Sequence, residues 1–94
     1  MKYISFDVGI KNLSYCIIEI NNNVFDIIDW NVIALCDSKD KVNNINLINV
    51  GKTLKDKLDV VLNKYSIDMV LIENQIGPLA IKMKTLQGMI AQYF

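Results

Sequence analysis

The stretch KYISFDV (residues 2–8) alternates apolar and polar side chains. This period of two is typical of a β-strand with one buried and one exposed face. Asp7 is the last polar residue of the stretch and stands just ahead of Gly9. A turn-like segment (residues 9–12) and a second apolar, β-branched run (residues 13–20) follow. The start of the chain therefore predicts two strands that are joined by a short turn.

The next part of the chain predicts a third strand and a helix. Three consecutive Asn residues (21–23) favour a tight turn, because Asn tolerates left-handed backbone geometry. A third β-branched run covers residues 24–35, so the first third of the chain predicts an antiparallel meander. After a polar stretch, apolar residues recur at helical spacing from Leu47 to Tyr65, with Asn46 or Asn44 as a plausible N-cap.

The remaining residues predict a fourth strand and a second helix. Residues 67–72 form a nearly continuous apolar run, which is typical of a buried parallel strand. Gly77 and Pro78 end this run, and a second helix with an apolar side within residues 79–94 follows. The predicted order is β-β-β-α-β-α, an α/β fold with a mixed sheet. A right-handed crossover would place the fourth strand parallel to and beside the first.

The length and the end of the pattern bear on domain organisation. With 94 residues the chain is expected to form a single domain, residues 1–94. The last helix is still periodic at Phe94, and a parallel strand normally has neighbours on both edges. We therefore expect a partial domain that lacks a C-terminal strand and helix.

Composition excludes several classes of function. Ten basic and ten acidic residues balance, there is no His, and every cationic residue is Lys. These facts exclude His-based zinc sites, Ser–His–Asp triads and Cys–His nucleophiles. No apolar run reaches the roughly 18 residues that a membrane span needs. Cys16 and Cys36 have no metal-type spacing and are expected to be small buried side chains, so we expect a reducing, cytoplasmic location without membrane contact.

Two acidic residues differ from the others in their surroundings. Asp7 ends the first predicted strand, and Glu73 directly follows the apolar residues Val70 to Ile72. If the first and fourth strands are parallel neighbours, the two carboxylates lie together, and carboxylate oxygens are the ligands that Mg²⁺ prefers. The alternative is that Asp7 is an ordinary turn residue and that Glu73 supports the start of the next helix. The residues alone leave both interpretations open.

The wording of these two segments resembles a known family. Residues 5–13 (SFDVGIKNL) resemble the first motif of the poxvirus-type and fungal mitochondrial Holliday junction resolvases, which belong to the RuvC-like branch of the RNase H superfamily. Residues 72–75 (IENQ), together with KMK at 82–84 and LQGMI at 86–90, are similar to their second motif and the helix after it. The resemblance spans the whole chain, in the expected order of elements.

The resemblance implies a partial RNase H-like domain from a metal-dependent, usually homodimeric endonuclease that cleaves four-way (Holliday) DNA junctions. Asp7 and Glu73 match the first two metal-binding, catalytic carboxylates, with Mg²⁺ or Mn²⁺ as the cofactor. The positions that match DNA-contacting ones are Lys11, Asn12, Gln75, Lys82 and Lys84. Relatives often have Arg at the last two positions, and Lys cannot reproduce the bidentate contact of Arg with phosphate.

One departure from the family concerns the metal site. The family completes this site with two further acids on a late helix, whereas no acidic residue follows Glu73 here. A four-carboxylate site cannot be assembled from this sequence. A second interpretation is therefore a non-catalytic module that dimerises or binds branched DNA through the apolar side of residues 79–94.

A third interpretation is an actin-like, phosphate-binding or nucleotide-binding fold, which shares Asp-x-Gly on an opening hairpin. Such proteins usually have Thr or Ser just beyond the Gly, whereas Lys11, Asn12 and Leu13 follow here. They also need a second Gly-rich loop, and the four Gly of this chain are not clustered. The sequence therefore favours the nuclease.

Overall fold

The architecture follows from a computed structural model, which describes residues 1–37, 39, 41, 44–73 and 81–94. The order of elements is β-β-β-α-β-α, as predicted from the sequence. The elements are β1 (Lys2–Asp7), β2 (Asn12–Asn21), β3 (Val24–Ala34), α1 (Leu47–Leu62), β4 (Met69–Ile72) and α2 (Ile81–Tyr93). The predicted start of the second helix, near Pro78 and Leu79, lies outside the described residues.

The four strands form one mixed sheet with the order β3-β2-β1-β4. β2 pairs antiparallel with both β1 and β3, whereas β4 pairs parallel with β1. The parallel register runs from Tyr3 opposite Met69 to Phe6 opposite Ile72. The prediction that the fourth strand lies parallel to and beside the first is thus confirmed.

Local sequence explains the β2–β3 hairpin and the start of α1. Asn22 and Asn23 have φ of 49° and 66°, the left-handed values that a two-residue hairpin turn requires. Asn46 is the N-cap of α1, because its side-chain oxygen accepts hydrogen bonds from the backbone N–H of Ile48 and Asn49 at 2.9 and 3.3 Å. Both features were predicted from the Asn residues alone.

The hydrophobic core lies on one side of the sheet, which we call the inner face. Buried residues from β1, β2 and β3 join buried residues from both helices in a single cluster. The helical members are Val50, Leu54 and Leu58 of α1 and Leu86 and Ile90 of α2. Both helices therefore pack on the inner face. Gly51 permits close packing there, since a Cβ at this position would lie 3.3 Å from the sulfur of Met89.

The other side of the sheet, the outer face, is exposed. Trp30 is 72% exposed and Leu71 is 49% exposed, although both lie within strands. The prediction of a fully buried fourth strand was therefore wrong, because within the described residues helices cover only the inner face. Cys16 and Cys36 are free and half-buried, so they are less enclosed than predicted. Within the part of the chain that the structure describes, neither helix is long and apolar enough to cross a lipid bilayer.

Because Tyr15 is buried, the free energy of unfolding is expected to depend on pH in the alkaline range. Its hydroxyl donates to Oδ2 of Asp29 at 2.8 Å, and burial together with this bond raises the pKa of Tyr15 to about 12. A tyrosine in the unfolded chain ionises near pH 10, so the stabilisation is complete below pH 10 and is lost as the pH rises to about 12. Over this pH range, we expect the unfolding free energy of Tyr15→Phe to fall by about 1–2 kcal/mol less than that of the wild type.

Urea unfolding at pH 9 and pH 11.5 measures this loss. Tyr3→Phe is the matched control. Tyr3 is a half-buried tyrosine on β1, and its hydroxyl donates a hydrogen bond to the sulfur of Met1 rather than to a carboxylate. Between pH 9 and pH 11.5, the unfolding free energy of Tyr3→Phe should fall by as much as that of the wild type. An identical decline in Tyr15→Phe and the wild type would contradict the assignment.

Candidate metal and nucleic-acid site

Asp7 is the last residue of β1, and its position in the strand directs it away from the core. Ile4 and Phe6 are buried on the inner face, at 0% and 2% exposure. Because successive side chains of a strand point to opposite faces, Asp7 belongs to the outer face, and it is exposed. A carboxylate at this position costs little to solvate and is available to a ligand.

Glu73 directly follows β4 and is also exposed. Phe6 and Ile72 form the last pair of the parallel register, and Asp7 and Glu73 each follow that pair by one residue. Neighbouring strands are about 4.8 Å apart, which places the two acids side by side at the carboxyl ends of adjacent strands. Residues that are 66 positions apart in the sequence are thus brought together by one crossover.

The electrostatic environment of this acid pair suits a divalent cation. Within the described residues, neither carboxylate takes part in a hydrogen bond or an ion pair. Two adjacent carboxylates repel each other, and a shared divalent cation with oxygen ligands relieves that repulsion. No cluster of three or more potential metal-ligating side chains occurs among the described residues. Asp7 and Glu73 are therefore two exposed acids at one end of the sheet, with no described cluster of three or more ligating side chains.

The turn after Asp7 carries two of the predicted DNA-contacting residues, Lys11 and Asn12. The carbonyl oxygen of Lys11 accepts a hydrogen bond of 2.8 Å from the backbone N–H of Leu35, which ties the turn to the end of β3. Asn12 is exposed and Lys11 is half-buried. The turn is tight, since a Cβ at Gly9 would lie 2.6 Å from the carbonyl oxygen of Asn12.

Gly9→Ala is expected to displace this turn. The clash is with backbone rather than with a flexible side chain, so the strands must shift, at a cost of about 1–3 kcal/mol of unfolding free energy. The matched control is Gly88→Ala, because a Cβ there meets nothing within 4 Å; in helix α2 it should stabilise by about 0.5–1 kcal/mol. Chemical denaturation of both variants tests this contrast. Equal effects of the two substitutions would contradict it.

The other predicted contact residues lie at the start of α2 or outside the described region. Lys82 is half-buried and Lys84 is exposed, both in the first turn of α2. Residues two apart on a helix do not face the same side, so the two lysines present their charges in different directions. Gln75 lies outside the described residues.

Sequence reasoning missed one polar residue beside the acid pair. Ser14 of β2 lies directly opposite Asp7 in the antiparallel register. It is half-buried and lies beside Asp7 on the outer face. The signal was present as a polar residue between the apolar Leu13 and the aromatic Tyr15, but its partner follows only from the register.

Comparison with known proteins identifies the family. A sequence model of the family described as Poxvirus A22 protein matches residues 1–89, which include Asp7, Glu73 and the segments 5–13 and 72–75. The chain belongs to this family, the poxvirus Holliday junction resolvases. Membership confirms the resemblance inferred from the two motifs and favours the nuclease interpretation over the actin-like one.

A curated relative gives a second comparison. The chain is 39% identical over 62 residues to an uncharacterized protein of Acanthamoeba polyphaga mimivirus. The aligned region covers 61% of this chain and 15% of the relative. The chain thus corresponds to a small part of that longer viral protein.

Proposed function

We propose that this chain is the metal-binding and DNA-binding part of a structure-selective endonuclease that cleaves four-way DNA junctions. The observation that supports the proposal is that Asp7 and Glu73 each directly follow the last pair of the parallel β1–β4 register, in a chain of the resolvase family. Adjacent carboxylates repel each other, and a bound divalent cation with oxygen ligands relieves that repulsion.

Asp7 and Glu73 would hold Mg²⁺ or Mn²⁺ through their carboxylate oxygens. When bound, the metal supplies Lewis-acid activation of water and stabilisation of the leaving oxygen in phosphodiester hydrolysis. The two carboxylates act as ligands, and their exposure on the outer face leaves room for a phosphate of a duplex arm. Asp7 and Glu73 would supply two carboxylates, and further oxygen ligands would come from water, phosphate or a partner.

The neighbouring polar residues would position DNA. Lys11 and Asn12 lie five residues or fewer beyond Asp7 in the chain, and Lys82 and Lys84 start the next helix. Lysines contact phosphates as point charges, which gives salt-dependent binding with little sequence preference. Selectivity for a four-way junction would follow from the paired sites of a homodimer rather than from base contacts.

Binding and nicking assays on a four-way junction and a linear duplex test this function. We expect the wild-type chain to bind a labelled four-way junction more tightly than a linear duplex of the same sequence. We also expect a 5′-labelled junction to be nicked when Mg²⁺ or Mn²⁺ is added. Affinity should fall with rising salt, because phosphate contacts release counterions. Binding of junction without nicking would support the non-catalytic module, and equal affinity for duplex and junction would contradict both.

A further inference from the structure

Ser14 is held beside Asp7 by the register of the sheet. The two residues are a directly opposite pair in the antiparallel β1–β2 ladder, so their Cβ atoms lie about 4.5–5.5 Å apart on the same face. Glu73 directly follows β4, which pairs with β1 on the side opposite to β2. Asp7 at the end of β1 therefore lies between β2, which carries Ser14, and β4, which Glu73 follows.

The chemistry of the neighbours singles out Ser14. A serine hydroxyl donates one hydrogen bond and rotates to suit its acceptor, whereas an ionised carboxylate only accepts. Beyond Ser14, the next residue across the sheet is Val32 of β3, which has no polar side-chain atom. Ser5 also lies on the outer face but pairs with Cys16, one step of two residues away from the acid pair. Among these outer-face neighbours, Ser14 alone is a hydroxyl directly opposite Asp7.

We propose that Ser14 is a positioning residue of the metal site. When the acid pair holds a cation, the Ser14 hydroxyl would donate a hydrogen bond to one oxygen of the Asp7 carboxylate and would leave the other oxygen available to the metal. This inference rests on the proposed function. It extends that function to a residue outside the two segments, 5–13 and 72–75, that contain the proposed metal ligands. Removal of a hydrogen-bond partner of a metal ligand typically costs 10- to 100-fold in metal affinity.

The test is the dissociation constant of Mn²⁺ for the full chain, measured by electron paramagnetic resonance of free Mn²⁺. We expect Ser14→Ala to raise this constant about tenfold, at the lower end of the usual range because the site is exposed. Ser14→Thr retains the hydroxyl and suits a strand, so it should keep the wild-type value. Ser5→Ala is the matched control on the same face and should also bind as the wild type does.

A double-mutant comparison separates a direct role from a general one. In an Asp7→Asn background, Ser14→Ala should have no further effect, because the carboxylate that it orients is gone. Circular dichroism of each variant checks that the fold is retained. Equal Mn²⁺ affinity of Ser14→Ala and the wild type would overturn the role of Ser14 and leave the proposed function intact. A loss in Ser14→Thr equal to that in Ser14→Ala would also overturn it, and the absence of saturable Mn²⁺ binding by the wild type would overturn both.

Discussion

Asp7→Asn is expected to reduce metal-dependent nicking of a four-way junction by roughly 100- to 10,000-fold. A catalytic metal contributes several kcal/mol to lowering the barrier, and about 1.4 kcal/mol corresponds to a factor of ten in rate. The substitution preserves the size of the side chain and removes the charge that the cation needs. Glu73→Gln should have a similar effect, because each of the two carboxylates directly follows the last pair of the β1–β4 register.

The two substitutions should not be additive, and junction binding should persist. Once one ligand is removed the metal site fails, so the double variant should be little worse than either single variant. The matched control is Asp26→Asn, which makes the same change at an exposed acid of β3. It should nick at the wild-type rate. Undiminished nicking by Asp7→Asn or Glu73→Gln would refute their role as metal ligands.

Leu58→Ala is expected to remove about 2–5 kcal/mol of the unfolding free energy. Leu58 is fully buried in α1, within the single cluster that joins both helices to the inner face of the sheet. A domain of this size typically has only about 5–15 kcal/mol of stability in total. The substitution should therefore lower the urea midpoint strongly and leave a measurable unfolded population at 37 °C.

Val60→Ala is the matched control for this prediction. Val60 lies two residues from Leu58 on the same helix, but it is 57% exposed. Its substitution should change the unfolding free energy by no more than about 0.5 kcal/mol, because no buried contact is lost and Ala favours the helix. Urea unfolding followed by circular dichroism compares the two variants. A similar urea midpoint for the two variants would contradict a core in which Leu58 is buried and Val60 is not.

Much of the fold was predictable because local signals agree with the final structure. The alternation in residues 2–8, the turn formed by Asn22 and Asn23, and the capping of α1 by Asn46 all depend on neighbouring residues alone. The position of β4, parallel to and beside β1, was also predictable, because the handedness of a crossover limits the positions open to the fourth strand.

Two features were not predictable, for physical reasons. An alternating strand has two faces, but the sequence does not say whether the second face is covered, so the exposure of Trp30 and Leu71 could not be foreseen. The pairing of Ser14 with Asp7 depends on register, which the length of the turn at Gly9 sets. A shift of one residue would have placed Ser14 on the opposite face.

Paramagnetic broadening by Mn²⁺ tests most directly whether the acid pair binds one cation. In an isotope-labelled chain, the amide signals around Asp7 and around Glu73 should broaden together, at the same low Mn²⁺ concentration. Excess Mg²⁺ should reverse the effect at both. Broadening at only one of the two acids, or first at surface acids such as Asp26 and Asp37, would show that the sheet does not assemble a shared metal site.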